Sequence, residues 1–168
     1  CMNSVRVDNK YDKVYVSMSD DWPAISMDNG EEFIDTKFTM HPNTYQTGTA
    51  VCPSAYDSSF YLFSAFRENK GAVVMVSWDD GATAETMLYL PKGLFVYDIK
   101  EAQPGTFYMF VHGNRDKGAG LYKTTNWGSE WTKITVDLPE YVKVIPHFKH
   151  FIESDLLAHC PRAPKNAC

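Results

Sequence analysis

Shifted by 47 residues, this sequence matches itself, and no other feature constrains its fold as tightly. Phe60-Tyr61-Leu62-Phe63 falls on Phe107-Tyr108-Met109-Phe110, Lys70-Gly71-Ala72 falls on Lys117-Gly118-Ala119, and Gly81 falls on Gly128. An earlier, degenerate copy lies 51 residues before the second: Val14-Tyr15-Val16 stands for the aromatic run, a shorter loop follows, and Gly30 answers Gly81. Ser154 to Ala158, 47 residues beyond the third aromatic run, begins a fourth copy. Units of this length bury their apolar faces by stacking on one another, so the repeat dictates the architecture.

Within each copy the pattern is that of strands. Lys13 to Met18, Phe60 to Phe66 and Thr106 to His112 are rich in Val, Tyr and Phe and are bounded by Gly, Asp, Asn or Pro. No window supports a long amphipathic helix; Phe148 to His159 is the best helical candidate, and the repeat predicts strand there instead. A few short strands per copy is the period of a propeller blade, a twisted antiparallel sheet that stacks on its neighbours. The expected fold is therefore an all-β β-propeller segment of about three four-stranded blades plus the start of a fourth. The blades span about 1–46, 47–93 and 94–146, and 147–168 is the start of a fourth blade or a C-terminal tail. Ten Phe, ten Tyr and four Trp in 168 residues supply a core.

Each copy carries a related octet where its third strand should turn into its fourth: Ser26-Met27-Asp28-Asn29-Gly30-Glu31-Glu32-Phe33, Ser77-Trp78-Asp79-Asp80-Gly81-Ala82-Thr83-Ala84 and Thr124-Thr125-Asn126-Trp127-Gly128-Ser129-Glu130-Trp131. A hydroxyl two residues before Asp or Asn lets both side chains bond nearby backbone. Gly two residues later takes positive φ without Cβ strain, and an aromatic three beyond is expected to plug the hairpin against its own blade. These octets resemble the Asp box, S-x-D-x-G-x-T-W, the repeated motif of sialidases, Vps10 (sortilin) receptor propellers and other BNR-repeat proteins. The first keeps Ser26, Asp28, Gly30 and Phe33 but has Glu32 where Thr or Ser is usual. The second keeps Ser77, Asp79, Gly81 and Thr83 but has Ala84 in the aromatic place. The third has Thr124, Asn126, Gly128 and Trp131, with Glu130 before the aromatic.

The resemblance implies propeller blades whose octets are structural. Sialidases add an arginine triad, a Tyr nucleophile with its Glu, an acid Asp and an F-R-I-P motif. Here only Phe66-Arg67 matches that motif, and the chain has four arginines in all, Arg6, Arg67, Arg115 and Arg162. In the family's geometry the octet turns lie on the rim opposite the ligand face, so their carboxylates are not expected to act as acid or base. The expectation is a non-catalytic module that binds a protein or peptide, with a fragment of a sialidase-like glycan hydrolase as the alternative and a purely architectural segment as a third class. The loops joining second to third strands would carry the contacts, and Trp22, Arg67 and Arg115 are the candidate anchors because Trp and Arg dominate interfaces. Closed propellers have about four to eight blades or more, so another chain or copy is expected to complete the ring.

Charge and cysteines bound the rest. Sixteen basic against 21 acidic residues give −5, with no basic run, which argues against nucleic acid. No apolar run approaches the ~18 residues that span a bilayer. Asp79-Asp80 and Asp28-Asn29 lack the alternating acids of a calcium loop, and His147, His150, His159 and Cys160 lack the spacing of a zinc site, so neither metal nor other cofactor is expected. Cys1, Cys52, Cys160 and Cys168 form an even set that fits disulfides in an oxidising compartment. Four thiols allow three connectivities; Cys160 with Cys168 is preferred because the two are close and flank Pro161 and Pro164. A first residue that is Cys, with no leader before it, reads as a processing site or a cut. Together with the sortilin resemblance, this points to a secreted or luminal protein.

Overall fold

The computed structural model describes residues 2–8, 10–18, 23–36, 47–67 and 71–134, all within one compact unit, Cys1–Thr135. Trp22, the fourth-copy run, the 148–159 helical candidate, the three histidines with Cys160, and the Cys160–Cys168 pairing lie outside the described residues.

The described chain is all-β and forms three four-stranded antiparallel sheets, each a meander of consecutive strands. The first contains β1 (Met2–Asp8), β2 (Lys13–Met18), β3 (Ala24–Ser26) and β4 (Ile34–Asp35). The second contains β5 (Thr47–Pro53), β6 (Tyr61–Arg67), β7 (Gly71–Ser77) and β8 (Glu85–Tyr89), and the third β9 (Leu94–Gln103), β10 (Thr106–Gly113), β11 (Gly120–Thr124) and β12 (Thr132–Ile134). Gly30, Gly81 and Gly128 each fall between the third and fourth strands of their sheet. First strands meet across the sheets, β1 with β5 and β5 with β9, while each fourth strand pairs at its sheet's far edge. The sheets are thus blades, with their first strands toward a common axis.

Side-chain alternation divides the middle blade between two cores. Tyr61, Phe63, Ala65, Val73 and Met75 pack with Tyr15 and Ile25 of the first blade. Phe60, Leu62, Val74 and Val76 face the other way, onto Leu94, Val96, Ile99, Phe107, Met109 and Val111 of the third. All of β7 is buried, as a strand covered on both faces must be. At about 1.5 to 3 kcal/mol for each large side chain withdrawn from water, these two seams are the main source of cohesion.

The seams also correct the strand alignment. The octets superpose at a shift of 47, but Tyr61 lies opposite Ser77 while Phe107 lies opposite Thr124, so the second strands superpose at 46. Phe60 is therefore not the counterpart of Phe107; Tyr61 is. A one-residue slide exchanges the faces of a strand, and here it turns Phe107, Met109 and Val111 onto the preceding blade.

Candidate functional site

The octet turns are closed by their own side chains. Ser26 Oγ donates to Asp28 Oδ1 at 2.7 Å and accepts from Gly30 N at 2.7 Å; Ser77 does the same with Asp79 (3.0 Å) and Gly81 N (2.8 Å), and Thr124 with Asn126 (2.8 Å) and Gly128 N (3.1 Å). Asp28 accepts from the N–H groups of Glu31 and Glu32, Asn126 from that of Glu130, and Asp79 from both the N–H and the hydroxyl of Thr83. Glu32 therefore serves with its backbone alone, where Thr83 adds a second bond. The Glu32 N–H and the Ser26 hydroxyl hold Asp28 below the ordinary carboxyl range, and the Thr83 hydroxyl and N–H do so for Asp79. These carboxylates are ionised, occupied hydrogen-bond hubs. Asp80 is committed too, since Lys13 Nζ from the first blade reaches its Oδ1 and the Ser58 carbonyl, both at 2.6 Å.

Two successive residues in each turn take positive φ: Asn29 and Gly30, Asp80 and Gly81, Trp127 and Gly128. Asn and Asp tolerate that region, but an indole there is uncommon and strained. Packing compensates: the Trp127 ring lies 4.9 Å from Phe60 and 5.6 Å from Trp78, centroid to centroid, in the seam between the second and third blades. Neither this cluster nor the half-exposed Trp78 was legible in the octets.

The plug reaches beyond its own hairpin. Trp131 is half-buried and packs on the seam shared with the preceding blade, and Gly128 approaches Leu62 and Val76 of that blade. Ala84 packs likewise on the seam with the first blade. The residue three beyond the glycine thus packs on the seam between blades, and Trp131 also lies beside its own hairpin, 3.9 Å from where a Cβ on Gly128 would be. Phe33 is in the same place but 49% exposed, because no preceding blade lies against it among the described residues.

The opposite rim carries the loops between second and third strands. Backbone is packed tightly there: a Cβ on Gly71 would lie 2.1 Å from the Leu90 carbonyl oxygen, and one on Gly113 would lie 2.3 Å from that of Gly93. Arg67 closes β6 at this rim, and Arg115 opens a single 3₁₀ turn, Arg115–Lys117, after β10. Their side chains, like all of Trp22, are outside the described part.

On the axial strands lies a charged group that the repeat did not flag. Arg6 of β1 donates through Nη2 to Asp98 of β9, whose second oxygen is 3.3 Å from Lys100 Nζ. Glu101 turns aside to Ser54 Oγ (3.0 Å) and Ala55 N (2.7 Å), and burial raises its carboxyl above the usual range. Cys52 is a free thiol, contrary to a fully disulfide-bonded set; it is buried in the core between the second and third blades, and burial pushes it up to about 12. Among the described residues no group of three or more His, Cys, Asp or Glu is arranged for a metal, and no helix is long and apolar enough to cross a membrane.

Three stacked antiparallel meanders with inward first strands define a β-propeller. No protein-family description and no curated protein matches the chain. Among solved structures, the GH74 xyloglucanase from Xanthomonas campestris superposes with a TM-score of 0.60 at 17% identity, over 81% of this chain and 22% of its own. YCF48 bound to D1 peptide gives 0.58 at 13%, over 79% and 39%, and YCF48 from Cyanidioschyzon merolae 0.55 at 16%, over 85% and 40%. The chain spans at most two fifths of the length of these proteins. At such identities the likeness is one of fold.

Proposed function

We propose that this chain is a segment of a secreted or luminal β-propeller that binds a protein or peptide and catalyses nothing by itself, its octets being Asp boxes of the sortilin-like kind. The observation that carries this reading is the partly open leading face of the first blade, where among the described residues Val16 and Ala24 are buried but Val5, across from Val16, is not. Val5 is 40% exposed, whereas Val51 and Ile99, its counterparts across from Phe63 and Met109, are 1% and 0% exposed. Val7 and Phe33 extend the same face, also exposed. A seam-like face with exposed apolar residues among the described ones is a surface for another chain or copy to complete. Two further points support recognition over chemistry: the octet carboxylates are consumed by backbone bonds, and one propeller of this fold was solved with a peptide bound. A glycan-hydrolysing propeller is the alternative, kept in view by the fold shared with GH74 enzymes.

Immobilised chain should capture a protein or peptide from a peptide library. Capture should fall when Trp22, Arg67 and Arg115 are replaced together by Ala, and assembly should fall in Val7→Glu/Phe33→Glu. Release of sialic acid from sialosides, or of reducing sugar from xyloglucan, by the purified chain would replace this reading with the hydrolase.

A further inference from the structure

The axial group of Arg6, Asp98 and Lys100 joins residues 92 positions apart in sequence, from the first strands of the first and third blades. Its charges do not balance: two cations share one carboxylate, leaving +1 on these three side chains in a chain whose formal charge is −5. Its donors do not balance either. Arg6 Nη1 donates to the Val5 carbonyl at 2.9 Å and Nη2 to Asp98, which also accepts from Ile99 N at 2.9 Å, but Arg6 Nε is buried and has no hydrogen-bond partner among the described residues. Lys100 carries three ammonium protons and, among the described residues, pairs with Asp98 alone. A guanidinium N–H left unbonded out of water is a standing cost, and an anion that accepts it removes that cost. Glu101, the next carboxylate along β9, cannot do so, because Ser54 and Ala55 hold it.

We infer that Arg6 and Lys100, oriented by Asp98, form a site for a small oxyanion, a carboxylate or phosphate group, that accepts from Arg6 Nε–H and the Lys100 ammonium. Asp98 is the positioning residue: it fixes the guanidinium through Nη2 and draws the ammonium toward it. Charge-assisted bonds from two donors of different shape favour an anion with at least two oxygens over a spherical halide. The site lies on the axial strands, away from the loops bearing Arg67 and Arg115, so its test is independent of what those loops bind.

The arginine Nε–Hε signals of the full 168-residue chain offer a direct readout, with Arg6 assigned by its loss in Arg6→Gln. Titration at fixed ionic strength with sodium acetate, inorganic phosphate or sodium chloride should give a saturable shift of the Arg6 signal with acetate or phosphate, half-complete at about 1 to 10 mM. The responding anion identifies the source, carboxylate or phosphate. Lys100→Gln should weaken the response at least about fivefold, Lys100→Arg should keep it, and Lys117→Gln in the exposed 3₁₀ turn should leave it unchanged. No saturation by about 50 mM, an equal response to chloride, or undiminished affinity in Lys100→Gln would each overturn the site.

Discussion

Alanine in place of each octet glycine separates what the turn demands from what the blade seam demands. Gly30, Gly81 and Gly128 have nearly the same backbone, with φ of +96°, +85° and +88°. The left-handed penalty for a residue with a Cβ, about 1 to 2 kcal/mol, is therefore common to all three. Their surroundings differ. A Cβ on Gly81 would lie 2.4 Å from Tyr61 Oη and 2.6 Å from Thr36 Cγ2, on two buried residues of the second and first blades. On Gly128 it would lie 3.0 Å from Leu62 Cδ2 and 3.3 Å from Val76 Cγ1, side-chain tips that yield slightly, and on Gly30 it would meet only Val14 Cγ2 at 3.7 Å. Overpacking a seam adds about 1 to 3 kcal/mol. Gly81→Ala should therefore lose about 2 to 5 kcal/mol, Gly30→Ala about 1 to 2, and Gly128→Ala an intermediate amount. Urea unfolding followed by tryptophan fluorescence gives the three values, with an unchanged m showing that the midpoint shift reports stability. Equal losses would mean that the glycines answer only to the turn, and a largest loss at Gly30 would refute the seam account outright.

Trp131→Ala should cost about 2 to 4 kcal/mol because the indole fills a seam, while Phe33→Ala, on the open face, should stay within about 0.5; the reverse order in the same unfolding assay would reject the placement of the plug between blades. Asp28 and Asp79 have native values below the ordinary 3.8, so their stabilisation is whole above 3.8 and is lost as pH falls through the lower native values. The double variant Asp28→Asn/Asp79→Asn should accordingly lose less than the parent on acidification below 3.8, and an equally steep acid limb would contradict the hub role. Glu101 moves the other way: its value is raised above 4.5, so its contribution is complete below 4.5 and is lost as pH rises through the native value, and carboxyl NMR should find it protonated above 4.5. Cys52, buried and pushed up to about 12, should resist a thiol reagent in the folded chain and react on unfolding; peptide mapping that finds it labelled or disulfide-bonded natively would be inconsistent with a buried thiol.

The hairpins were legible in the sequence because the side-chain bonds of the hydroxyl that opens each octet are local. Ser26 to Asp28 and Gly30, Ser77 to Asp79 and Gly81, and Thr124 to Asn126 and Gly128 each span two or four residues, so residue type and spacing are enough to specify them. The all-β character and the stacking of repeated sheets follow from the same short-range pattern. What the chain does between blades was not legible. The repeat placed Phe60 over Phe107, but the slide that puts Tyr61 there depends on which face of β10 the preceding blade accepts. The octet equated Phe33 with Trp131, and only the presence or absence of a neighbouring blade among the described residues makes one exposed and the other a wedge. Lys13 with Asp80, and Arg6 with Asp98, join residues 67 and 92 positions apart. No periodicity marks such pairs, because they are created when one blade is laid on the next, and that step is governed by the shape of whole faces and not by the identity of near neighbours.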